Sequence, residues 1–266
     1  MTLHRAYADT PLGQFHYAEE GTGTPVLMLH QTPRTHDEFA EVQAALAGDV
    51  RTLAMDMRGF GFSAPLPEPQ TIEDMADGVL ALLDALTLDR AVLLGHHTGS
   101  VVALEVAAAA PARVRALVLS AMPWIGPERR AREHGVGVDD VERREDGSHL
   151  TELWRLRRPY YPAGRPDLLD RFVRDALVPG LDPAEGHRAC ERYLMEERIG
   201  LVRCPVLVLA PSDDPFAGPA VPDVVAGLTA AERVVTRTLE GAMIPAMEQC
   251  ADQVAAHTRT FLAEIC

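Results

Sequence analysis

A histidine between two glycines is the most chemically suggestive feature of this 266-residue sequence: His97 lies in the run Gly95-His96-His97-Thr98-Gly99. The run follows a short apolar stretch that predicts a strand, and it precedes a longer one that predicts a helix. Glycines on either side of such a junction permit a strained turn that exposes the residue between them, as in a nucleophile elbow. An imidazole titrates near neutrality, so His97 is a candidate general acid or base.

The elements expected around this turn alternate between short β-branched runs and longer helical ones. This alternation is typical of a mostly parallel sheet covered by helices on both faces. An opening hairpin is predicted from residues 3–8 and 14–20, later strands at 26–29, 51–55, 91–94, 114–120, 206–210 and 234–238, and helices at 37–46, 72–86, 100–110 and 251–265. In such folds ligands bind at the carboxyl ends of the strands, which is where His97 is placed.

The strand pattern disappears between residues 122 and 203. This segment contains 15 arginines, 16 acidic residues, both tryptophans and three of the five tyrosines of the chain. Interspersed charges of both signs are typical of solvated helix faces, so we expect a helical cap here. The core domain is then expected to comprise residues 1–121 and 204–266.

Four motifs in this order resemble the α/β-hydrolase superfamily. They are His30 after the third predicted strand, the loop Arg58-Gly59-Phe60-Gly61-Phe62-Ser63, the turn around His97, and Ser212-Asp213-Asp214-Pro215. The resemblance extends over essentially the whole chain. It implies an α/β-hydrolase fold, with a mostly parallel sheet flanked by helices and a helical cap inserted before the penultimate strands.

The serine and histidine of that superfamily's catalytic set have no counterpart here, whereas its acid does. By the resemblance, His97 occupies the position of the nucleophile. Asp214 matches the acid after the strand at 206–210, with Asp213 as the neighbouring possibility. Met243 stands where the family histidine is expected, and no histidine lies at positions 188–256.

The resemblance also implies an oxyanion hole made by two backbone N–H groups, one after the elbow residue and one in the loop after an early strand. By position these donors are Thr98 and Thr32. Gln31 replaces the glycine that the family usually has after the position of His30.

We expect Asp214 to orient the ring of His97, and this dyad to act with the oxyanion donors on a small, largely apolar carbonyl compound. A base without a serine favours proton abstraction next to a carbonyl, elimination or cyclisation, decarboxylation, or direct attack by a water that His97 activates. Two alternatives stay open: a ligand-binding protein without turnover, and an esterase with another nucleophile. The expected pocket residues are His30, Gln31, Trp124, His149, Trp154, Tyr160 and Met243, although His30 also fits a structural role under its loop.

Composition limits the other possibilities. The chain has no lysine, which excludes lysine Schiff bases and phosphate-loop lysines, and its charge of −14 disfavours nucleic acids and anionic membranes as partners. His36, His149 and His187 lack the spacing of metal ligands on one helix face, so no metal or other cofactor is expected. The four cysteines are scattered and the N-terminus has no apolar leader, so we expect a cytoplasmic protein. We expect it to be a monomer or a homodimer.

Overall fold

The computed structural model describes residues 3–131, 139–178 and 180–265. Its strands are β1 His4–Thr10, β2 Gly13–Glu20, β3 Pro25–Leu29, β4 Arg51–Met55, β5 Ala91–His96, β6 Val114–Ser120, β7 Val206–Pro211 and β8 Val234–Leu239. They form one sheet in the order β1-β2-β4-β3-β5-β6-β7-β8. The hairpin β1–β2 is antiparallel and β2 pairs antiparallel with β4, whereas all later neighbours are parallel.

Helices cover both faces of this sheet. Those outside the segment between β6 and β7 are α1 Ala40–Leu46, α2 Ile72–Ala85, α3 Thr98–Ala109, α9 Val221–Gly227, α10 Ala246–Gln249 and α11 Ala251–Ile265. Leu27 and Leu29 of β3 pack in the core cluster that contains α2 and α3, whereas Val26 and Met28 pack in the cluster that contains α1 and α11. Both faces of the strand are buried, which explains why β3 reads as a continuous apolar run.

The predicted strands and helices of the core agree with the structure to within two residues at each end, except that the helix predicted at 37–46 begins as a 3₁₀ turn, His36–Phe39, before α1. Helix α2 is capped by Thr71, whose Oγ1 accepts the backbone N–H of Asp74 at 3.0 Å. The short helices α9 and α10 were not predicted. None of the described helices combines the length and apolarity needed to cross a lipid bilayer.

The residues between β6 and β7, which we call the insert, form helices and contain no strand among those described. The helices are α4 Pro127–Arg130, α5 Ser148–Arg157, α6 Pro166–Ala176, α7 Glu185–Arg192 and α8 Met195–Arg198. Leu153, Leu168 and Phe172 build a small apolar cluster that also contains Ile244 from the loop after β8. This contact attaches the insert to the carboxyl edge of the sheet.

Candidate functional site

His97 lies on the sharp turn between β5 and α3, in a conformation that few residues other than glycine adopt. Its φ is 46° and its ψ is −114°. A Cβ on Gly95 would lie 2.3 Å from the carbonyl oxygen of Gly99, and one on Gly99 would lie 1.9 Å from that of Leu29. The turn therefore requires both glycines, and the surrounding backbone holds the strained conformation of His97. The side chain of His97 retains 15% exposure, which leaves the ring accessible.

Asp214, on the loop after β7, faces the ring of His97. Its Oδ2 lies 2.8 Å from Nε2 of His97, although the contact is off the hydrogen-bond direction and neither atom has a well-aligned partner among the described residues. Its Oδ1 accepts the N–H groups of Phe216 at 2.8 Å and Ala217 at 3.0 Å. Burial opposes the charge on Asp214, but His97 and these two donors hold its pKa well below the usual range. An ionised carboxylate thus stands beside the imidazole.

Two backbone donors lie where the oxyanion hole is expected. Thr98 opens α3, so no carbonyl of a preceding helical turn accepts its N–H. The N–H of Thr32, in the loop after β3, donates to no acceptor among the described residues. Oγ1 of Thr32 is buried and also has no hydrogen-bond partner among them. Donors without protein acceptors are what an anionic oxygen of a ligand needs.

The histidine after β3, His30, is buried beneath its loop rather than lining a pocket, which corrects the expectation that it contacts substrate. Its Nε2 accepts the N–H of Met57 at 3.0 Å, so the ring proton is on Nδ1, which donates to the carbonyl of Gln31 at 2.8 Å. Burial lowers the pKa of His30 to about 4. The ring is therefore neutral, and neither nitrogen is available to a substrate.

The histidine before the elbow, His96, is also structural. Its ring has no exposed surface, its Nε2 lies 2.9 Å from the carbonyl oxygen of Ile244, and its Nδ1 lies 3.3 Å from Oγ of Ser120. Burial, together with the charge of His97, lowers the pKa of His96 to about 3. His96 thus fixes the loop after β8, where half-buried Met243 precedes Ile244.

Gln31 is turned away from the site, contrary to its expected place in the pocket. Its backbone N–H and its side-chain amide donate to the buried carboxyl of Glu38 at 2.8 and 2.6 Å. The loop is held further by Arg34, which is fully buried and contacts Asp175 of α6 at 2.9 Å and Glu248 of α10 at 2.7 Å. Burial, with the charge of Glu248, raises the pKa of Glu38 above its ordinary value. This buried ionic cluster joins the loop after β3, which contains Thr32 and which we call the oxyanion loop, to the insert. The cluster was not foreseen from the sequence.

The aromatic residues expected in the pocket are spread over the insert. Tyr160 is close to the acid loop, because its ring centroid lies 4.9 Å from that of Phe216. Trp124 is half-buried against the main core. His149, on α5, accepts the backbone N–H of Arg144 through Nδ1 at 3.1 Å. Trp154 lines a cavity of about 660 Å³ within the insert, whose described walls include neither His97 nor Asp214.

A second cavity, of about 600 Å³, lies beside the acid loop and is bordered by Pro211, Asp213, Asp214 and Thr238. It opens at the ends of β7 and β8, where Asp214 forms one wall. Asp213, the alternative acid, accepts the hydroxyl of Ser212 at 2.7 Å. The carboxylate that approaches His97 is therefore that of Asp214.

Helix α7 is the part of the insert that sequence reasoning missed. Gly186 packs so closely on the oxyanion loop that a Cβ there would lie 2.2 Å from Oγ1 of Thr32. One turn later, Sγ of Cys190 lies 3.7 Å from Oγ1 of Thr98. Nothing in the sequence pattern links positions so far apart along the chain. His187, considered above only as a possible metal ligand, follows Gly186 on this helix.

One group of described residues, His16, His36 and Asp56, has the composition of a metal site. Both oxygens of Asp56 are already used, however. Oδ2 of Asp56 lies 3.0 Å from Nδ1 of His16 and accepts the backbone N–H of Phe62 at 3.0 Å. Oδ1 lies 2.8 Å from Nδ1 of His36 and accepts the backbone N–H of the same residue at 2.7 Å. These donors hold the pKa of Asp56 low despite its burial. The cluster joins β2 to two loops, and hydrogen bonds account for its arrangement.

Similarity to known proteins was found at three levels. A family model described as alpha/beta hydrolase fold matches residues 24–181. The acetyltransferase component of the acetoin cleaving system of Pseudomonas putida is 37% identical over 112 residues, which is 42% of this chain and 30% of that protein. The 2-(acetamidomethylene)succinate hydrolase of Mesorhizobium japonicum is 27% identical over 170 residues, which is 63% of this chain and 58% of the relative. The matches thus span less than two thirds of the length of each of these two curated relatives.

Among solved structures, a thermophilic esterase from Thermogutta terrifontis is similar with 25% identity and a TM-score of 0.76, over 98% of this chain and 99% of the esterase. The mostly parallel eight-stranded sheet with flanking helices agrees with this similarity. Because the family model covers more than half of its length, the chain belongs to the α/β-hydrolase fold family.

Proposed function

We propose that this chain is an enzyme that adds water to a small, largely apolar carbonyl compound, with His97 as the general base and no covalent intermediate. A single contact carries the proposal: the 2.8 Å approach of Nε2 of His97 to Oδ2 of the buried Asp214. The negative charge of Asp214 favours a proton on Nε2, which leaves Nδ1 as the basic nitrogen. Asp214 then orients the ring and stabilises the imidazolium that forms during the reaction.

The reaction proceeds in two stages. Nδ1 of His97 takes a proton from water while the water oxygen bonds to the carbonyl carbon, and the carbonyl electron pair moves to its oxygen. The N–H groups of Thr32 and Thr98 stabilise this oxyanion, since fixed donors in a buried site need no reorganisation. The intermediate then collapses, and the bond to the leaving group breaks with its electron pair.

The hydroxyl and thiol groups nearest the turn do not serve as the nucleophile of an ordinary esterase. The hydroxyl of Ser100 is buried and its single proton is shared between two backbone carbonyl oxygens, that of Gly95 at 2.7 Å and that of Ser120 at 2.9 Å from Oγ. Cys190 touches Thr98, but burial raises the pKa of its thiol to about 11, so it stays protonated and weakly nucleophilic. These two observations favour attack by water over an acyl-enzyme.

The same base and the same donors also suit proton abstraction next to a carbonyl, as in a lyase or cyclase, and they suit decarboxylation. We favour water attack because hydrolases are found among the relatives and because the site offers a base without a nucleophile. The fate of solvent isotopes separates the chemistries. Hydrolysis places oxygen from H₂¹⁸O in the acid product, whereas proton abstraction places deuterium from D₂O on carbon.

The test is turnover of short alkyl and p-nitrophenyl esters and simple lactones. His97→Ala is expected to reduce kcat/KM by roughly 10²–10⁴-fold while leaving the thermal unfolding temperature nearly unchanged. Asp214→Asn is also expected to reduce it. His4→Gln, on the exposed first strand, is the matched control. A fluorophosphonate probe is expected to add no mass to the intact protein, and such an adduct would support the esterase alternative.

Full activity in His97→Ala refutes the proposal. Binding of the compounds by calorimetry without any turnover refutes it as well, and it leaves the chain as a ligand-binding protein of this fold.

A further inference from the structure

Helix α7 places one face of the insert directly on the two proposed oxyanion residues. Gly186 lies against Thr32, and Cys190, four residues later and so on the same side of the helix, lies against Thr98. The close approach at Gly186 leaves no space for a side chain, so the helix backbone itself closes that side of the site. The residue after Gly186 on this helix is therefore next to the backbone that packs on Thr32.

His187 is that residue, and its side chain is held as catalytic histidines commonly are. Its Nε2 lies 3.0 Å from Oδ2 of Asp139, which is buried. Nε of Arg157 donates to Oδ1 of the same carboxylate at 2.7 Å, and a second contact from Arg157 reaches Oδ2. The side chain of His187 keeps 24% exposure, so its ring is neither sealed in the insert nor free in solvent. With Nε2 on Asp139, the nitrogen left for a ligand is Nδ1.

Electrostatics connect this ring to the elbow. Burial lowers the pKa of His187, Asp139 raises it, and the charges of Arg157 and His97 lower it. Asp139 and Arg157 belong to the insert, whereas His97 belongs to the core. The insert therefore holds a second histidine–aspartate pair, and the charge of His97 acts on its histidine.

We propose that His187 is the second proton-transfer residue of the site and protonates the leaving group, with Asp139 and Arg157 as positioning residues. This inference rests on the proposed function. In that function His97 takes a proton from water, and the departing oxygen of an alkyl ester needs a proton in return. By the resemblance, Met243 stands in place of a histidine in the loop after β8, and we infer that His187 of the insert takes over the proton transfer to the leaving group.

For an ester substrate, the overall reaction converts the ester and water into an acid and an alcohol. As the tetrahedral intermediate collapses, the bond from carbon to the ester oxygen breaks, and the electron pair stays on that oxygen. The proton that His97 took from water passes to Nδ1 of neutral His187, directly or through water. Nδ1 of His187 then gives this proton to the same oxygen, the alcohol leaves, and both rings are neutral again.

Leaving-group dependence tests this role. A p-nitrophenolate departs without a proton, whereas an alkoxide needs one. In His187→Gln, kcat/KM for an alkyl ester is expected to fall by roughly 10²-fold or more, and that for the p-nitrophenyl ester of the same acid only a few-fold. Asp139→Asn is expected to show the same pattern more weakly, and it remains informative if His187→Gln fails to fold. An equal loss for both esters refutes the inference, because a merely structural residue affects both alike.

An NMR titration of His187, which needs no substrate, tests the inference independently. The imidazole signals of His187 are assigned in histidine-labelled protein by their loss in His187→Gln, and followed against pH by NMR. His97→Gln removes the neighbouring charge and is expected to raise the measured pKa of His187, whereas His4→Gln leaves it unchanged. No change in His97→Gln overturns the inference. An active His97→Ala, by contrast, overturns the proposed function itself, so the two failures are distinguishable.

Discussion

Replacing His96 with glutamine is expected to change how the stability of the protein depends on pH. The buried ring of His96 joins the end of β5 to the carbonyl of Ile244 in the loop after β8. Its pKa is lowered to about 3 in the folded protein, from an ordinary value of 6.5. The folded state therefore excludes a proton that the unfolded chain takes up as the pH falls.

The magnitude follows from linkage between proton binding and folding. A depressed pKa in the folded state contributes stability that is complete above pH 6.5 and is lost as the pH falls toward 3. With about 1.36 kcal/mol for each pH unit of difference, the wild-type protein loses about 2.5 kcal/mol through this ring between about pH 6 and pH 4. Glutamine does not titrate, so the variant lacks this loss. At neutral pH the variant is expected to be less stable by about 1–3 kcal/mol, because glutamine cannot replace both ring contacts.

The assay is urea unfolding of the wild type and His96→Gln at pH 6, 5 and 4. The difference in free energy of unfolding is expected to shift by about 2.5 kcal/mol in favour of the variant across this range. Other acid-sensitive groups, such as His30 and Asp56, are common to both proteins and cancel in the difference. His4→Gln is the control, since that side chain is exposed. A difference that stays constant with pH would show that His96 is not held neutral by burial, and the account of both structural histidines would fail.

Two further substitutions test the supports of the site through stability. Gly99→Ala is expected to destabilise the fold by about 3 kcal/mol or more, because the new Cβ would lie 1.9 Å from the carbonyl oxygen of Leu29. The control is Gly48→Ala at an exposed position, where a Cβ would have no neighbour within 4 Å and stability is expected to change by less than about 0.5 kcal/mol. Thermal unfolding that is equal in these two variants contradicts the requirement for glycine after the elbow. Arg34→Met leaves buried carboxylates uncompensated and is expected to cost about 3–5 kcal/mol, against less than about 1 kcal/mol for the exposed ion pair lost in Arg165→Met. Equal denaturation midpoints for the two arginine variants would mean that the buried cluster contributes no more than a surface pair.

The core of the fold was predictable because local patterns determine it. Strand β4 was predicted at its observed bounds, since its apolar run lies between polar loops and is buried on both faces. The turn at His97 was predictable from its two glycines, whose necessity is steric and local. The placement of Asp214 near His97 followed from the resemblance, because the carboxyl ends of parallel strands meet at one edge of a sheet.

The rest depended on contacts that no local pattern encodes. His30 and Gln31 were expected in the pocket because they follow a strand, but their side chains satisfy buried backbone groups and Glu38 instead. The burial of Arg34 could not be inferred, since an isolated arginine in a loop is usually exposed and its partners come from α6 and α10. The contact of Gly186 with Thr32 joins residues more than 150 positions apart, and it depends on how the insert folds back.

The residue exchanges at this site are mutually consistent in size. A serine hydroxyl at the elbow needs a histidine between itself and the acid, because its side chain is short. Nε2 of His97 lies 2.8 Å from Oδ2 of Asp214, so no intermediate ring is needed, and by the resemblance apolar Met243 stands at the position of the family histidine. Nε2 of His96 lies 2.9 Å from the carbonyl oxygen of the neighbouring Ile244, a contact that fixes this loop. In the proposed reaction the base lies on the turn itself, and the proton for the leaving group is proposed to come from a different element. Helix α7 is the described element that lies against both oxyanion residues and carries a histidine.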